Sequence, residues 1–568
     1  MKKIVLLSIL FLGSRNSIDA QTPQDATLDI NQVRASAQST GDLFWTRPYN
    51  FSQFHVPADS VTSTIFAGAL WIGGLDSGGG IHLAAPTYSQ SGGDFFQGPV
   101  QDSQYYTMQS NAIWNHVWKI NRSSIDSLIL WQTNPANYPL YTMPYDIVSW
   151  PANGDVSKGQ AAQLAPFVDS NGDGVYDPLN GDYPCIKGDQ CIYFIFNDDR
   201  AAHTGSGGAK MKIEVHAMMY AYVDPGSSID STVFLNYKIY NRSSNTYTNT
   251  YCGQWTDFDI GDYSDDYVGS SVERGMYYGY NGDSLDGFGS NSPYAYGLHP
   301  PAQGVVLLRG PIADSNDLID NDRDGVIDIP GETCSMWQFM AYNNDFTNTG
   351  NPSTAADYYN YLRAYWKDST PATHGGNGYG GTTPYTMMYP GDSDPFSMCG
   401  NWVPLPTWDE TNSGNVPNDR RGIGSSGAFT FEAGSSECIT YAYVYARGTG
   451  NHLSSIDALF AATDTARLFF SQNDPCSCGN TAVGVAEHSL QNVILYPNPA
   501  TDNITIICGD NASGSQIEVI DATGRLVLSP YVISGNSVVV DVSSLPEGIY
   551  FVRVNKGSVV LTGKFIRN

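Results

Sequence analysis

MKIEVHAMMYAY (Met211–Tyr222) and TVFLNYKIY (Thr232–Tyr240), separated by a turn around Asp224-Pro225-Gly226, decide the fold class. Both runs are rich in β-branched and aromatic residues in rough alternation, and Asp-Pro-Gly is strong turn chemistry, so together they predict an antiparallel hairpin. The spacing extends it through Tyr247–Trp255. Farther on, Ala428–Phe431, a Glu432-Ala433-Gly434 break and Ile439–Tyr445 predict another strand pair, of the kind that closes a sandwich. The fold class expected from these runs is an all-β-dominated, multi-domain sandwich body with a few helices.

Two segments have helical period. Thr354 with Asp357 three residues on predicts a capped helix over Asp357–Trp366, and Ser455–Phe470 places Ile456, Leu459, Phe460, Thr463 and Ala466 on one stripe. Tyr358, Tyr359, Tyr361, Tyr365 and Trp366 could form a sugar platform, but core packing explains such a cluster more simply, because aromatic rings bury large areas in any fold.

Composition narrows the function classes. The chain has 568 residues, 28 basic and 56 acidic, a net charge of −28. Nucleic acid is excluded as a default partner, since phosphate binding needs clustered cations. Charged residues are only 15% of the chain, against about 25% in an average soluble domain, while 58 glycines and 37 tyrosines mark loop-rich β structure. At about 100–200 residues per domain the length corresponds to three or four folding units.

Lys2 and Lys3, the apolar run Ile4–Leu12 and the Ile18-Asp19-Ala20 end read as a secretory signal peptide over residues 1–20. The apolar run is about half of the ~20 residues a bilayer needs, and no later stretch approaches a membrane span. Export favours disulfides for the nine cysteines, with Cys185 and Cys191 the expected pair and Cys508 the expected free thiol. No Cys-x-x-Cys or His-x-His spacing accompanies them, so zinc is disfavoured.

The acidity is concentrated in the body, residues 21–472. Residues 21–490 hold 49 acids and 20 bases, whereas 491–568 hold six and five. Residues 473–492 read as a linker, and 493–568 as a separate seven-stranded, immunoglobulin-like sandwich. Its runs are Val493–Tyr496, Ile504–Ile507, Ile517–Ile520, Leu526–Leu528, Val538–Val542, Ile549–Val554 and Val559–Ile566.

Four ordered motifs of this tail are Tyr496-Pro497-Asn498-Pro499, Ile520-Asp521-Ala522-Thr523-Gly524-Arg525-Leu526-Val527, Leu545-Pro546-Glu547-Gly548-Ile549-Tyr550 and Lys564-Phe565-Ile566-Arg567. They resemble the type A C-terminal sorting domain of type IX secretion cargo. The resemblance implies recognition of the folded tail by the type IX machinery at the outer membrane, then tail removal with release or anchoring to a surface glycan or lipopolysaccharide. The body is similar to large secreted or cell-surface proteins without established activity. That likeness rests on Ile65–Asp76, Leu164–Asp169, Gly181-Asp182-Tyr183-Pro184, Lys187-Gly188-Asp189-Gln190 and Asp357–Arg363, and implies only an address and β architecture. Asp-Ser/Thr-apolar triplets, such as Asp59-Ser60-Val61, resemble bacterial O-glycosylation sites and are short enough to arise by chance.

The sharpest chemical signal is DSNGDGVYD, Asp169–Asp177. Asp169, Asn171 and Asp173 at loop positions 1, 3 and 5, Gly174 at 6, the Val175 carbonyl at 7 and Asp177 at 9 match a calcium loop. Position 12 is Asn180, so Asp182 is expected to supply the closing carboxylate. A second copy has Asp320, Asp322, Asp324, Val326 and Asp328, with Glu332 as closer. A third cluster, Asp257, Asp259, Asp262, Asp265 and Asp266, lacks this spacing; calcium binding and an exposed acidic turn fit it equally. Catalytic motifs are weak: there is no HExxH pattern and no GxSxG elbow, and His216 reads as a packing residue on a strand. The functional expectation is a calcium-stabilised structural or adhesion protein of the cell surface, its Gly- and Tyr-rich loop His374–Tyr389 offering contact surface. The alternative is a secreted glycosidase or peptidase, for which a cleft with two carboxylates would be the mark.

Overall fold

The computed structural model describes residues 22–46, 51–89, 92–287, 293–323, 327, 331–472, 494–496, 498–507, 516–521, 525–532, 537–556 and 559–567. The proposed signal peptide, the linker and cysteines 476, 478 and 508 lie outside them. The chain divides into two compact units, residues 1–479 and 480–568.

The larger unit is built on two antiparallel sheets. One has nine strands among the described residues. Its order runs Asp266–Ser271, Met276–Asn281, Ala302–Arg309, Ser436–Ala446, Thr232–Asn241, Ile213–Ala221, Gln190–Asn197 and Phe96–Gln97, and Trp118–Asn121 also pairs with Gln190–Asn197. The other has five, in the order Met336–Asn343, Arg420–Phe431, Tyr247–Phe258, Ile65–Leu75 and Ile81–Ala84. The hairpin expected at Met211–Tyr240 forms, with Ile213 opposite Asn241 and Tyr220 opposite Phe234.

The strands of the large sheet are buried on both faces, and their side chains alternate between two cores, as a period of two requires. Val215, Ala217, Met219, Tyr441 and Tyr443 enter one core; Met218, Tyr220, Ala442 and Val444 enter the other. The second core is covered by the helix His452–Ser471, whose Leu459, Ala462, Thr463 and Ala466 are buried, so the expected stripe faces the sheet. The first core reaches the five-stranded sheet, where the Tyr277 ring stacks on Phe339 at 4.9 Å. Gly424 permits this approach, since a Cβ there would lie 2.5 Å from the Tyr277 ring.

Two expectations about connectivity change. Tyr247–Phe258 does not continue the hairpin but pairs with Ile65–Leu75 and Arg420–Phe431 in the other sheet. Arg420–Phe431 and Ser436–Ala446 likewise belong to different sheets, so the turn at Glu432–Gly434 crosses between layers. Strand pattern reports which residues are extended and buried, and tertiary packing chooses the neighbour.

The helix runs over Ala355–Leu362, beginning two residues and ending four residues before the expected bounds, but its cap is the expected one: Thr354 Oγ1 accepts from the Asp357 amide at 3.3 Å, and Asp357 Oδ2 accepts from the Thr354 amide at 3.1 Å. Tyr358, Tyr359, Tyr361 and Trp366 are buried, which makes them core rather than platform. The expected Cys185–Cys191 pair does not form. Cys191 is a free, buried thiol inside strand Gln190–Asn197, as are Cys252, Cys334 and Cys399 in their own surroundings.

In the smaller unit, seven strands match the seven apolar runs. Ile494–Tyr496, Asn503–Ile507 and Ser537–Asp541 form one sheet; Leu526–Val532, Gln516–Asp521, Gly548–Lys556 and Val559–Arg567 form the other. Ile504, Ile506, Ile517, Val519, Val552 and Val554, alternate residues on their strands, fill its core.

Candidate metal centres

The Asp169 loop leaves and rejoins a short ladder in which Phe167 pairs with Pro184 and Val168 with Tyr183. Register places Asp182 at the loop's base, fully buried. Its Oδ1 accepts from the Ser170 amide and its Oδ2 from the Asp177 amide, each at 2.9 Å, so it closes the ring from the position where a final ligand was expected. Asp169 accepts from the amides of Gly172 at 2.7 Å and Gly174 at 2.8 Å, and these amides, Gly174 first, hold its carboxyl below the usual carboxylate range. Asn171 and Asp173 cap the amides two residues ahead, at 2.9 and 2.8 Å, and Asp177 caps Leu179 at 2.9 Å. Gly174 turns the chain at φ +76°, a conformation glycine tolerates without a side-chain clash. The loop is pinned from outside by Tyr176, whose hydroxyl donates to the Ile147 carbonyl at 2.6 Å.

In the second loop, carboxylate oxygens of Asp320, Asp322 and Glu332 lie within 4.8 Å of one another. Glu332 is buried and accepts from the Asn321 amide at 2.5 Å. Arg323 braces the loop: its guanidinium sits 3.9 Å over the Trp337 ring and donates to the carbonyls of Val272 and Met336. Asp324, Val326 and Asp328 lie outside the described residues.

The third cluster is not an exposed turn. Asp257 is 2% exposed and Asp266 fully buried. It also separates in space: Asp257 and Asp259 meet Asp419, which follows far along the chain, while Asp265 lies beside Asp262 and Asp286. No local spacing could have revealed Asp419, because strand pairing brings it there.

A cavity of about 280 Å³ is lined by Tyr342, Asn343, Trp366, Tyr389, Glu410 and Arg420, among others. Glu410 is its one acidic lining residue, and both of its oxygens are engaged by Arg420. In the expected contact loop, Tyr385, Met387, Met388 and Tyr389 are buried, leaving mainly residues 376–384 at the surface. His216 is buried in a chain of contacts: its Nε2 lies 3.0 Å from Glu214 Oε1, which Arg242 also binds at 2.6 Å.

Residues 494–568 match the family described as the secretion system C-terminal sorting domain. The chain carries a type IX sorting tail. The type IX cargo is therefore a secreted, cell-surface protein, and its tail the part that addresses the type IX machinery. No helix among the described residues is long and apolar enough to cross a membrane. No curated protein matches the chain. Among solved structures, a polysaccharide lyase is similar at 7% identity and TM-score 0.20 over 62% of this chain. The match spans 34% of that enzyme's length, and at this TM-score it carries no argument.

Proposed function

We propose that the body of this type IX cargo is a calcium-clipped structural or adhesion protein of the outer cell surface. The observation that carries the reading is the convergence of Asp320, Asp322 and Glu332, with oxygens within 4.8 Å of one another, on a loop whose sequence pattern recurs at Asp169. Oxygen-only donors of this kind suit calcium, and extracellular modules bind it at about 10⁻⁴–10⁻³ M, so the ion acts as a clip on acidic loops. In the Asp169 loop, Asp169, Asn171, Asp173, the Val175 carbonyl, Asp177 and Asp182 would share the ion. In the second, Asp324, Val326 and Asp328 would join the three converged acids. Melting and limited proteolysis of the full chain in calcium and in excess chelator test this. The expected result is a lower melting temperature and new cleavage near Asp169 and Asp320 in chelator; identical melting in both would sink the reading.

The tail supports surface delivery, and anchoring to a surface glycan or lipopolysaccharide after its removal is the further part of this proposal. Cell fractionation with a mass measurement of the mature body distinguishes anchoring from release. Neither Cys185 nor Cys438 is a free thiol. The Cys185 amide donates to the Pro166 carbonyl, and Pro166 and Cys438 line the same small cavity. A non-reduced peptide digest would identify the partner of each.

A further inference from the structure

We propose a third divalent-cation site, formed by Asp257, Asp259 and Asp419 at the shared end of the two longest strands of the five-stranded sheet. Strands Tyr247–Phe258 and Arg420–Phe431 run antiparallel, with Asp257 opposite Arg421 and Phe258 opposite Arg420. One more step of that register sets Asp259 across from Asp419. Alternation along a strand sets Asp257 and Asp259 on the same face. Sheet geometry therefore gathers three acids and one arginine, and oxygens of the three acids lie within 4.8 Å of one another.

Like charges opposite one another across a ladder are destabilising unless something offsets them. Arg421 offsets part: Nη1 binds Asp419 Oδ1 at 2.9 Å and Nη2 binds Asp257 Oδ2 at 3.3 Å. Tyr88 adds a hydrogen bond to the same Asp257 oxygen at 2.5 Å. Asn344 donates to Asp419 Oδ2 at 3.1 Å. Two acceptors remain. Asp257 Oδ1 has no hydrogen-bond partner although its residue is 2% exposed, and the Asp259 carboxylate has no hydrogen bond or ion pair among the described residues. Asp259 is only partly buried, but a fully buried polar atom such as Asp257 Oδ1 is rarely left unpaired, because it forfeits its hydration.

One guanidinium against three carboxylates leaves two negative charges, the charge of one divalent ion. A hard ion bound at 2.3–2.6 Å holds opposed oxygens up to about 5 Å apart, which the observed spread allows. An all-carboxylate donor set selects calcium or magnesium over softer metals. The ion would tie the end of the Ile65–Leu75, Tyr247–Phe258 and Arg420–Phe431 ladder to Tyr88 and Asn344. None of its donors belongs to the Asp169 or Asp320 loops, so it stands apart from the reading of those loops.

Terbium titration of the full chain, read by indole-sensitised luminescence, tests it, since Tyr88 packs 5.3 Å from Trp255 beside the site. Asp259→Asn/Asp419→Asn is compared with wild type and with Asp322→Asn/Glu332→Gln. The expected result is that the first variant loses one equivalent of bound ion per chain and retains the loop equivalents, while the second loses a different one. Terbium binding by the Asp259/Asp419 variant equal to wild type would overturn the site and show that the acids hold protons instead. Should the double variant fail to fold, Asp259→Asn alone carries the test, because that carboxylate makes no other bond; the same loss supports the site and no loss overturns it.

Discussion

Arg420 and Glu410 meet fork to fork inside the protein, Nε to Oε1 at 3.0 Å and Nη2 to Oε2 at 2.9 Å, with 5% and 1% of their surfaces exposed. Every remaining lone pair has company: Glu410 also accepts from the Val268 amide and Asn415, and Arg420 reaches Asn343 and the Val416 carbonyl. A buried pair of this quality is costly to break from one side, because the surviving charge is stranded away from water. Glu410→Gln is expected to destabilise the larger unit by about 3–5 kcal/mol, read from denaturant unfolding. A cost below about 1 kcal/mol would mean the pair is solvated, as exposed ion pairs are.

The reciprocal bonds between Thr354 and Asp357 satisfy two amides that the first helical turn leaves free. Thr354→Ala should cost about 1 kcal/mol, and Thr354→Ser should restore most of it. The burial of Tyr358, Tyr359 and Tyr361 depends on the same helix, so tyrosine fluorescence of the native state should stay unchanged in the serine variant.

Asp265 sits among acids. Burial first, then the charges of Asp286 and Asp262, push its carboxyl well above the usual carboxylate range, up to about 7, and burial raises Asp286 to about 6, with Arg447 pulling the other way. Carboxyls whose pKa is raised by folding bind protons more readily folded than unfolded. Their stabilisation is therefore present near pH 4 and lost as the pH rises toward 7. In chelator, the melting temperature of Asp265→Asn should exceed wild type at pH 8 and converge with it near pH 4. A variant less stable than wild type at pH 8 would contradict this assignment.

The free thiols of Cys191, Cys334 and Cys399 are pushed up to about 12, and that of Cys252 higher still, in each case by burial first. Thiolate, not thiol, is the reactive form. Alkylation of the native protein should be slow at all four, and rapid once the body is unfolded. Fast labelling of any of them in the native state would contradict its burial.

Much of the architecture is legible in the sequence. The seven apolar runs of the tail became seven strands because each is a short run rich in β-branched and aromatic residues bounded by turn signals, and the Thr354–Asp357 spacing marked a helix start because capping is local chemistry. The DSNGDGVYD loop was equally local: Asp169, Asn171 and Asp173 serve amides within five residues. Asp182 could be proposed as its closer because a short ladder returns the chain within fourteen residues of Asp169.

Pairing between distant strands was not legible. Tyr247–Phe258 and Ser436–Ala446 read as continuations of their neighbours, yet each crosses to the opposite sheet, since an extended, doubly buried strand carries no mark of which partner it will hydrogen-bond. The meeting of Asp257 and Asp259 with Asp419, and of Glu410 with Arg420, follows from such pairings and from loops folded over them. Sequence by itself settled where the chain is extended, where it turns, which residues are apolar and which tail addresses it for export. Only tertiary structure decided which acids face one another, because burial and long-range register set that, and both are properties of the assembled sheets.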